Sequence, residues 1–380
     1  MPHLRNLIRQ VHLWLGLGVG AVLMLLGLTG AALVFYQELD AVLNPEVRVS
    51  TGGEAPGWNA AVWDDALATL RARWPQRDGA WRFEATGRPG ALPVRYLPAG
   101  SGHHEQRGMV WLTPEGKRVL RSEEWGGYLM TWIYDLHMEL MLKAPGRALV
   151  GWSGLASLVL LITGIWAWWP RGNWSRALRF KKDASCLRTL RDVHKLAGLA
   201  GFALLLMLSL TGFMLALPEE SNWVLEQTVG PLQKTTMPAS VPTGRPPVTV
   251  VQALAAAHAV MPHGRLAWVE VPGRREGAFM VRVQQPGDPS FRFPHSYVYV
   301  DQFSGRVLAV QDQQRFGAPN LINNWLHPLH DGSAGGLPLR ILLCAAGLLP
   351  AVLWLTGWWR WRLRARAVQR SHRAVRTTAA

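Results

Sequence analysis

The chain has 380 residues, 49% of them hydrophobic, a formal net charge of +15 and a mean hydropathy of only +0.06. Apolar residues must therefore be gathered into spans between large polar segments, which excludes a single soluble globular domain and describes a membrane protein with sizeable loops. The charge is equally segregated: residues 1–12, 170–195 and 360–380 hold 17 Lys/Arg against Asp183 and Asp192, whereas 37–148 and 218–340 hold 23 basic and 23 acidic residues. The high pI thus reports topology, and a nucleic-acid partner is a poor reading of it.

The first span lies within 1–36 and is apolar from Leu13 to Phe35. It opens with Arg9-Gln10-Val11-His12 and closes on Leu28-Thr29-Gly30. A basic start before an apolar run is also how a secretory signal begins, but this run is too long for one and has a counterpart in mid-chain. Residues 37–148 form an α+β segment, with a helix predicted over Ala60–Pro75 and a hairpin over Val110–Leu120 turning at Gly116. The second span, 149–169, ends on Thr163-Gly164 and an interfacial tryptophan cluster. A basic loop, 170–195, leads to the third span, 196–217.

That third span opens with Arg191-Asp192-Val193-His194 and closes on Leu210-Thr211-Gly212, the frame of the first span moved by 182 residues. Residues 218–338 form a second α+β segment, with a helix predicted over Val248–Pro262 and a hairpin over Val298–Leu308 turning at Gly305. The fourth span, 339–361, closes on Thr356-Gly357, and 362–380 reads as a disordered basic extension at the lipid surface. Linkers at 50–57, 87–102 and 231–247 are rich in Gly and Pro. The expected fold is an α-helical membrane bundle of four transmembrane helices in duplicated parallel repeats, carrying two α+β domains. By the positive-inside rule the basic segments and both termini are cytoplasmic and the large segments are outside.

Four histidines occupy equivalent places. His12 and His194 stand at the cytoplasmic mouths of their spans. His137 and His330, related by a gap-free offset of 193 residues, stand at the outer boundary ahead of helix breaks expected at Pro145-Gly146 and Pro338. Paired imidazoles on facing helices are how membrane bundles hold b-type haem, with both axial positions filled by histidine. The residues therefore predict two haem b groups, with iron ligands His12 and His194 in one and His137 and His330 in the other. No C-x-x-C-H occurs, so attachment would be non-covalent.

His327, one turn before His330, aligns with Tyr134 and is left as a neighbour of the haem ligand or a substrate-side group. Met138 and Met141 offer thioether ligation as a lesser option. Arg9 and Arg191 are read equally as partners of haem propionates or as positive-inside anchors. Gly16, Gly18, Gly20, Gly198 and Gly201 let a flat macrocycle approach the backbone, or serve close helix packing, which is also the reading of the four Thr-Gly ends. His3, His103, His104, His258, His263, His295 and His372 read as solvated. Cys186 and Cys344 fall on opposite sides of the membrane, so no disulfide is expected. There is no nucleotide-binding, zinc-protease or serine-hydrolase motif, so electrons must enter from outside the chain, from quinol or a cytoplasmic reductase.

Together, the R-x-V-H…L-T-G frames, the run from Ala144-Pro145-Gly146-Arg147 to Trp168-Trp169-Pro170-Arg171, and His327-Pro328-Leu329-His330-Asp331-Gly332 resemble the PepSY-associated transmembrane family of bacterial inner-membrane proteins. Within it the chain is similar to the FoxB-type ferrisiderophore reductases over nearly all of residues 1–365. The resemblance implies that the two outer segments are periplasmic PepSY-like domains. It also implies that haem b in the bundle carries electrons to Fe(III)-siderophore in the periplasm and releases Fe(II). A siderophore permease or sensor is the competing expectation, although an ion-coupled permease would place charges inside the spans, where none is seen.

Overall fold

The structure, a computed structural model, describes residues 2–49, 54–100, 107–170, 172–233, 236–273 and 277–378, with side chains up to residue 369. The chain divides into two compact units, one made of Met1–Val34, Ile133–Pro218 and Leu329–Ala380, the other of Phe35–Trp132 and Glu219–Pro328.

In chain order the helices are α1 (Pro2–Leu33), α2 (Tyr36–Leu43), α3 (Val62–Arg73), α4 (Leu129–Glu139), α5 (Lys143–Trp168), α6 (Trp174–Leu178), α7 (Cys186–Ala216), α8 (Pro218–Thr228), α9 (Val250–Val260), α10 (Ala318–His330) and α11 (Gly336–Thr378). The strands are β1 (Ala80–Glu84), β2 (Leu92–Leu97), β3 (Gly108–Leu112), β4 (Val119–Glu124), β5 (Arg265–Val271), β6 (Phe279–Gln284), β7 (Ser296–Val300) and β8 (Val307–Gln311).

Among the described residues four helices are long and apolar enough to cross a membrane: His3–Leu33, Lys143–Trp168, Cys186–Ala216 and Ser333–Gln369. In the first unit α1 and α7 each pack against both α5 and α11. The bundle is therefore a closed ring of four, with α1 diagonal to α7 and α5 diagonal to α11. Small residues allow a close crossing of α1 and α11: a methyl on Gly27 of α1 would clash with the Gly347 carbonyl oxygen of α11. Arg147 donates to the carbonyls of Ala216 and Leu215 at 3.0 and 3.1 Å, and Arg340 donates to Val34 at 2.6 Å. Each guanidinium thus meets the C-terminal carbonyls of a neighbouring helix, where a cation is favoured.

Two expectations change here. The segment 362–380, expected as disordered, continues α11 without a break to Thr378, because its Ala and Arg residues are good helix formers. The break before α5 also comes ahead of Pro145, at Leu140, Met141 and Lys143, which have positive φ. Pro145 sits in the first turn of α5, where no backbone N–H is needed.

The second unit holds one antiparallel sheet of eight strands in the order β4-β3-β2-β1-β5-β6-β7-β8. The two segments expected as separate domains contribute four strands each and join through β1 and β5, with Phe83 opposite Val269. The predicted helices and hairpins correspond to α3, α9, β3-β4 and β7-β8, with Gly116 and Gly305 at φ 73° and 70° in the turns. A single core runs under both halves, from Trp63, Leu70, Phe83 and Val110 to Leu254, Val269, Val281 and Val298, so α3 and α9 cover one face of the sheet. Asp64 of α3 accepts from the Val250 amide at 2.6 Å and so caps α9.

The register places Arg82, Arg95, Trp268, Glu270, Arg282 and Tyr297 together on the opposite face. Arg95 lies 4.8 Å from the Trp268 ring and Arg282 4.9 Å from that of Tyr297, while Arg82 pairs with Glu270 and Arg292 with Glu84.

Candidate functional site

The bundle brings the repeat-related histidines together in two pairs. The rings of His12 and His194 have centroids 6.2 Å apart at 82°, and those of His137 and His330 are 6.2 Å apart at 46°. His12 and His194 come from the diagonal helices α1 and α7. His137 and His330 come from the ends of α4 and α10, which lead into the other diagonal, α5 and α11. Both pairs therefore bridge the middle of the ring of helices, where bundles build cofactor sites.

Each ring rests in the same kind of seat, and the seat is a Thr-Gly end. His12 Nδ1 is 3.0 Å from Thr163 Oγ1, His137 Nδ1 is 3.1 Å from Thr29 Oγ1, His194 Nδ1 is 3.1 Å from Thr356 Oγ1 and His330 Nδ1 is 2.9 Å from Thr211 Oγ1. The four hydroxyls donate to the carbonyls of Val159, Leu25, Val352 and Met207 one turn earlier, at 2.6–2.8 Å. A hydroxyl whose proton is so committed accepts from the imidazole, so Nδ1 carries the hydrogen and Nε2 the lone pair. Carbonyls reinforce this: Leu26 is 3.0 Å from His137 Nδ1 and Leu353 is 3.0 Å from His194 Nδ1.

The glycine completes the seat. A methyl built on Gly30, Gly164, Gly212 or Gly357 would stand 2.9, 3.1, 3.2 or 3.4 Å from Cε1 of His137, His12, His330 or His194. These Thr-Gly ends were read from sequence as helix packing. Their partners are histidines on other helices, and only the fourfold recurrence beside four histidines signalled it.

The centroid spacing matches that of two rings sharing one metal. With metal–nitrogen bonds of about 2 Å and each ring centre roughly 1.1 Å behind its nitrogen, two imidazoles sharing one metal stand about 6.2 Å apart. Two nitrogens per pair suit a metal whose other ligands come from a macrocycle. Among the glycines near the first pair, Gly20 and Gly201 are filled by Trp354 and Leu349 and serve packing, whereas a methyl on Gly18 meets nothing within 4 Å.

The remaining candidates separate. His327 packs on Phe293 of the sheet unit, with centroids 5.3 Å apart, and does not form part of the two pairs. Met141 is exposed in the α4–α5 break. Arg191 contacts Asp192 at 3.4 Å, and Arg9 is exposed. Both lie within the electrostatic reach of Arg360, as does Arg364, so four guanidinium groups gather at the basic end of the bundle near His194. Arg364 was not singled out from sequence because the tail around it read as unstructured, and Arg360 because it read only as part of the basic charge that closes the fourth span.

Of the histidines read as solvated, His258 is half-buried and His295 is not solvated. His258 stacks on Trp58 at 4.8 Å. His295 is held down at a pKa of about 3 by burial, then by the charge of Arg282 and that of His327. His103 and His104 lie outside the described residues, and the side chain of His372 is likewise not described.

A family model described as the PepSY-associated TM region matches residues 9–364. The chain belongs to that family. An uncharacterised protein of Pseudomonas aeruginosa is 27% identical over 270 residues, which cover 59% of this chain and 62% of that protein. The chain thus spans under two thirds of the length of this curated relative.

Proposed function

We propose that this family member is a di-haem b electron conduit of the bacterial inner membrane that reduces Fe(III)-siderophore on the periplasmic side and releases Fe(II). In this reading it is a ferric-siderophore reductase with its termini in the cytoplasm, and its halves are duplicated repeats with PepSY-like outer segments. The observation that carries it is the pair of histidine sites, each at 6.2 Å with Nδ1 anchored and Nε2 left with the lone pair. His12 and His194 would hold one haem and His137 and His330 the other. When bound, haem supplies one-electron redox chemistry at each level of the bundle.

The chain's own residues do the rest. The threonine seats fix the tautomer and orientation of each ligand, as the outer contacts of metal-bound imidazoles do. From His12 to Thr29, the seat of the other pair, is 17 residues, or ~25 Å of helix, so the two levels span most of a hydrocarbon layer ~30 Å thick. Arg9, Arg191 and Arg360 offer charge to propionates at the cytoplasmic level. Because both histidines of each pair would be taken up in holding haem, the sheet unit would have to hold the chelate. Its arginine and aromatic face around Arg82, Arg95, Arg282 and Trp268 suits an anionic, flat ligand. Removing a charge from iron in this way weakens its hold on oxygen donors without destroying the chelator.

The test is the haem-to-protein ratio of the purified protein, with its reduced-minus-oxidised spectrum. Two low-spin haems are expected, and one in His194→Ala. A colourless protein would leave the permease or sensor reading in place, and two haems retained in His194→Ala would break the pairing.

A further inference from the structure

A groove of about 440 Å³ opens on the side of the bundle at its basic end, lined by Arg5, Ile162, Ile165, Trp166 and Trp169. Ile162, Ile165 and Trp166 of α5 and Trp169 just past its end follow the spacing i, i+3, i+4, i+7 and line one side. Ile162, Trp166 and Trp169 are each more than half exposed, and in a bilayer that exposure faces lipid. Thr163 and Gly164, between them in sequence, turn to the adjoining face of the helix and seat His12. Groove and histidine pair are thus on two sides of one helix, whose diameter with side chains is ~10–12 Å.

Arg5, two turns before His12 on α1, closes the groove. Its Nη2 reaches the Ala167 carbonyl at 3.5 Å, and its Nε is buried without a hydrogen-bond partner. An unmet charged donor in such a place is costly and calls for an acceptor oxygen. A lipid acyl chain has none. A flat ring with an oxygen at each end and a long apolar tail answers every feature: oxygen on Arg5, ring against the indoles, tail along Ile162 into the bilayer.

We propose that this groove binds a membrane quinol, which delivers electrons to the level of His12 and His194; the proposal rests on the haem reading above. The quinol loses two electrons and two protons and leaves as quinone. Haem held by His12 and His194 would take up the electrons one at a time, the protons would go to water at the basic end, and each quinol would support reduction of two Fe(III).

The experiment uses the full chain in lipid nanodiscs with a photoreactive azidoquinone, with labelled peptides mapped by mass spectrometry. Saturable labelling of the Ile162–Trp169 segment is expected, displaced by unlabelled quinone and reduced at least tenfold in Arg5→Leu and in Trp166→Ala. Haem content, measured separately, should be unchanged in both variants, while reduction by added quinol slows about tenfold and reduction by dithionite does not. Labelling elsewhere, labelling that quinone does not displace, or displacement by anionic phospholipid alone would overturn the proposal. Haem without groove labelling removes the quinol site and spares the conduit. Groove labelling in a protein without haem keeps the quinone site and removes the conduit.

Discussion

The histidine seats allow a graded experiment, because the four glycines stand at different distances from the rings they face. Ordinary van der Waals contact for a methyl begins near 3.4 Å, and the Gly30, Gly164, Gly212 and Gly357 positions give 2.9, 3.1, 3.2 and 3.4 Å to the respective Cε1 atoms. In Gly30→Ala the His137 ring must move by about 0.5 Å, which is the tolerance within which a ligand constellation works. In Gly357→Ala, His194 need not move at all. Perturbing the contacts that orient a metal-bound imidazole costs about 10–100-fold in affinity, or roughly 1.4–2.7 kcal/mol.

We therefore expect Gly30→Ala to weaken haem at the His137/His330 level by about 10–100-fold and Gly357→Ala to change the other level by less than about threefold, with Gly164→Ala and Gly212→Ala between them. The fold responds in the opposite sense, since alanine at a mid-helix glycine gains up to about 1 kcal/mol of helix propensity. Haem titration of the stripped protein and thermal melting, done on all four variants, separate the two effects. Gly357→Ala losing as much haem as Gly30→Ala, or Gly30→Ala binding like the wild type, would refute the seat.

His330→Ala should lose the haem of its level and all Fe(III)-siderophore reduction, whereas His327→Ala, whose ring rests on Phe293, should keep both haems; spectra of the two variants side by side decide this, and the reverse outcome would move the ligand one turn back. His295 has a folded pKa of about 3 against 6.5 for the free side chain, so the unfolded chain takes up its proton first as pH falls. Stability is then lost from pH 6.5 downward, by up to about 1.4 kcal/mol per pH unit and about 2 kcal/mol by pH 5. Full-chain melting at pH 7.5 and 5.0 should show that loss reduced in His295→Gln; an equal loss in both would rule His295 out as its source.

Much of this arrangement could be read along the chain, and what could not has a common cause. Spans, histidine levels and hairpins depend on local runs and fixed offsets, such as the 182 residues between His12 and His194. The β1–β5 pairing depends on which strand edge meets which, and both strands carry an apolar row for α3 and α9 and a polar row for the other face. Nothing in that alternation distinguishes one eight-stranded sheet from two of four. The role of Thr163 was hidden for a similar reason. A threonine near a helix end bonds its own preceding turn whether or not a histidine arrives from elsewhere, and Thr163 does both.

The exchange of seats explains why the two levels keep their separation. α1 carries His12 at one end and the seat Thr29-Gly30 at the other, and α7 carries His194 and Thr211-Gly212, with 17 residues between histidine and threonine in each. His137 and Thr163, and His330 and Thr356, are likewise both 26 apart. Along α1 and α7, which are unbroken between histidine and threonine, depth is therefore set by helical rise, which is stiff, whereas the 26-residue intervals also cross the connections between α4 and α5 and between α10 and α11. A slide of α1 along the bundle axis would carry His12 off Thr163 and the Thr29 seat off His137 together, so neither level can drift without the other. In the proposed conduit, whose two sites must stay in register across a membrane, that mutual constraint is a physical reason for a histidine at one end of each helix and a Thr-Gly seat at the other.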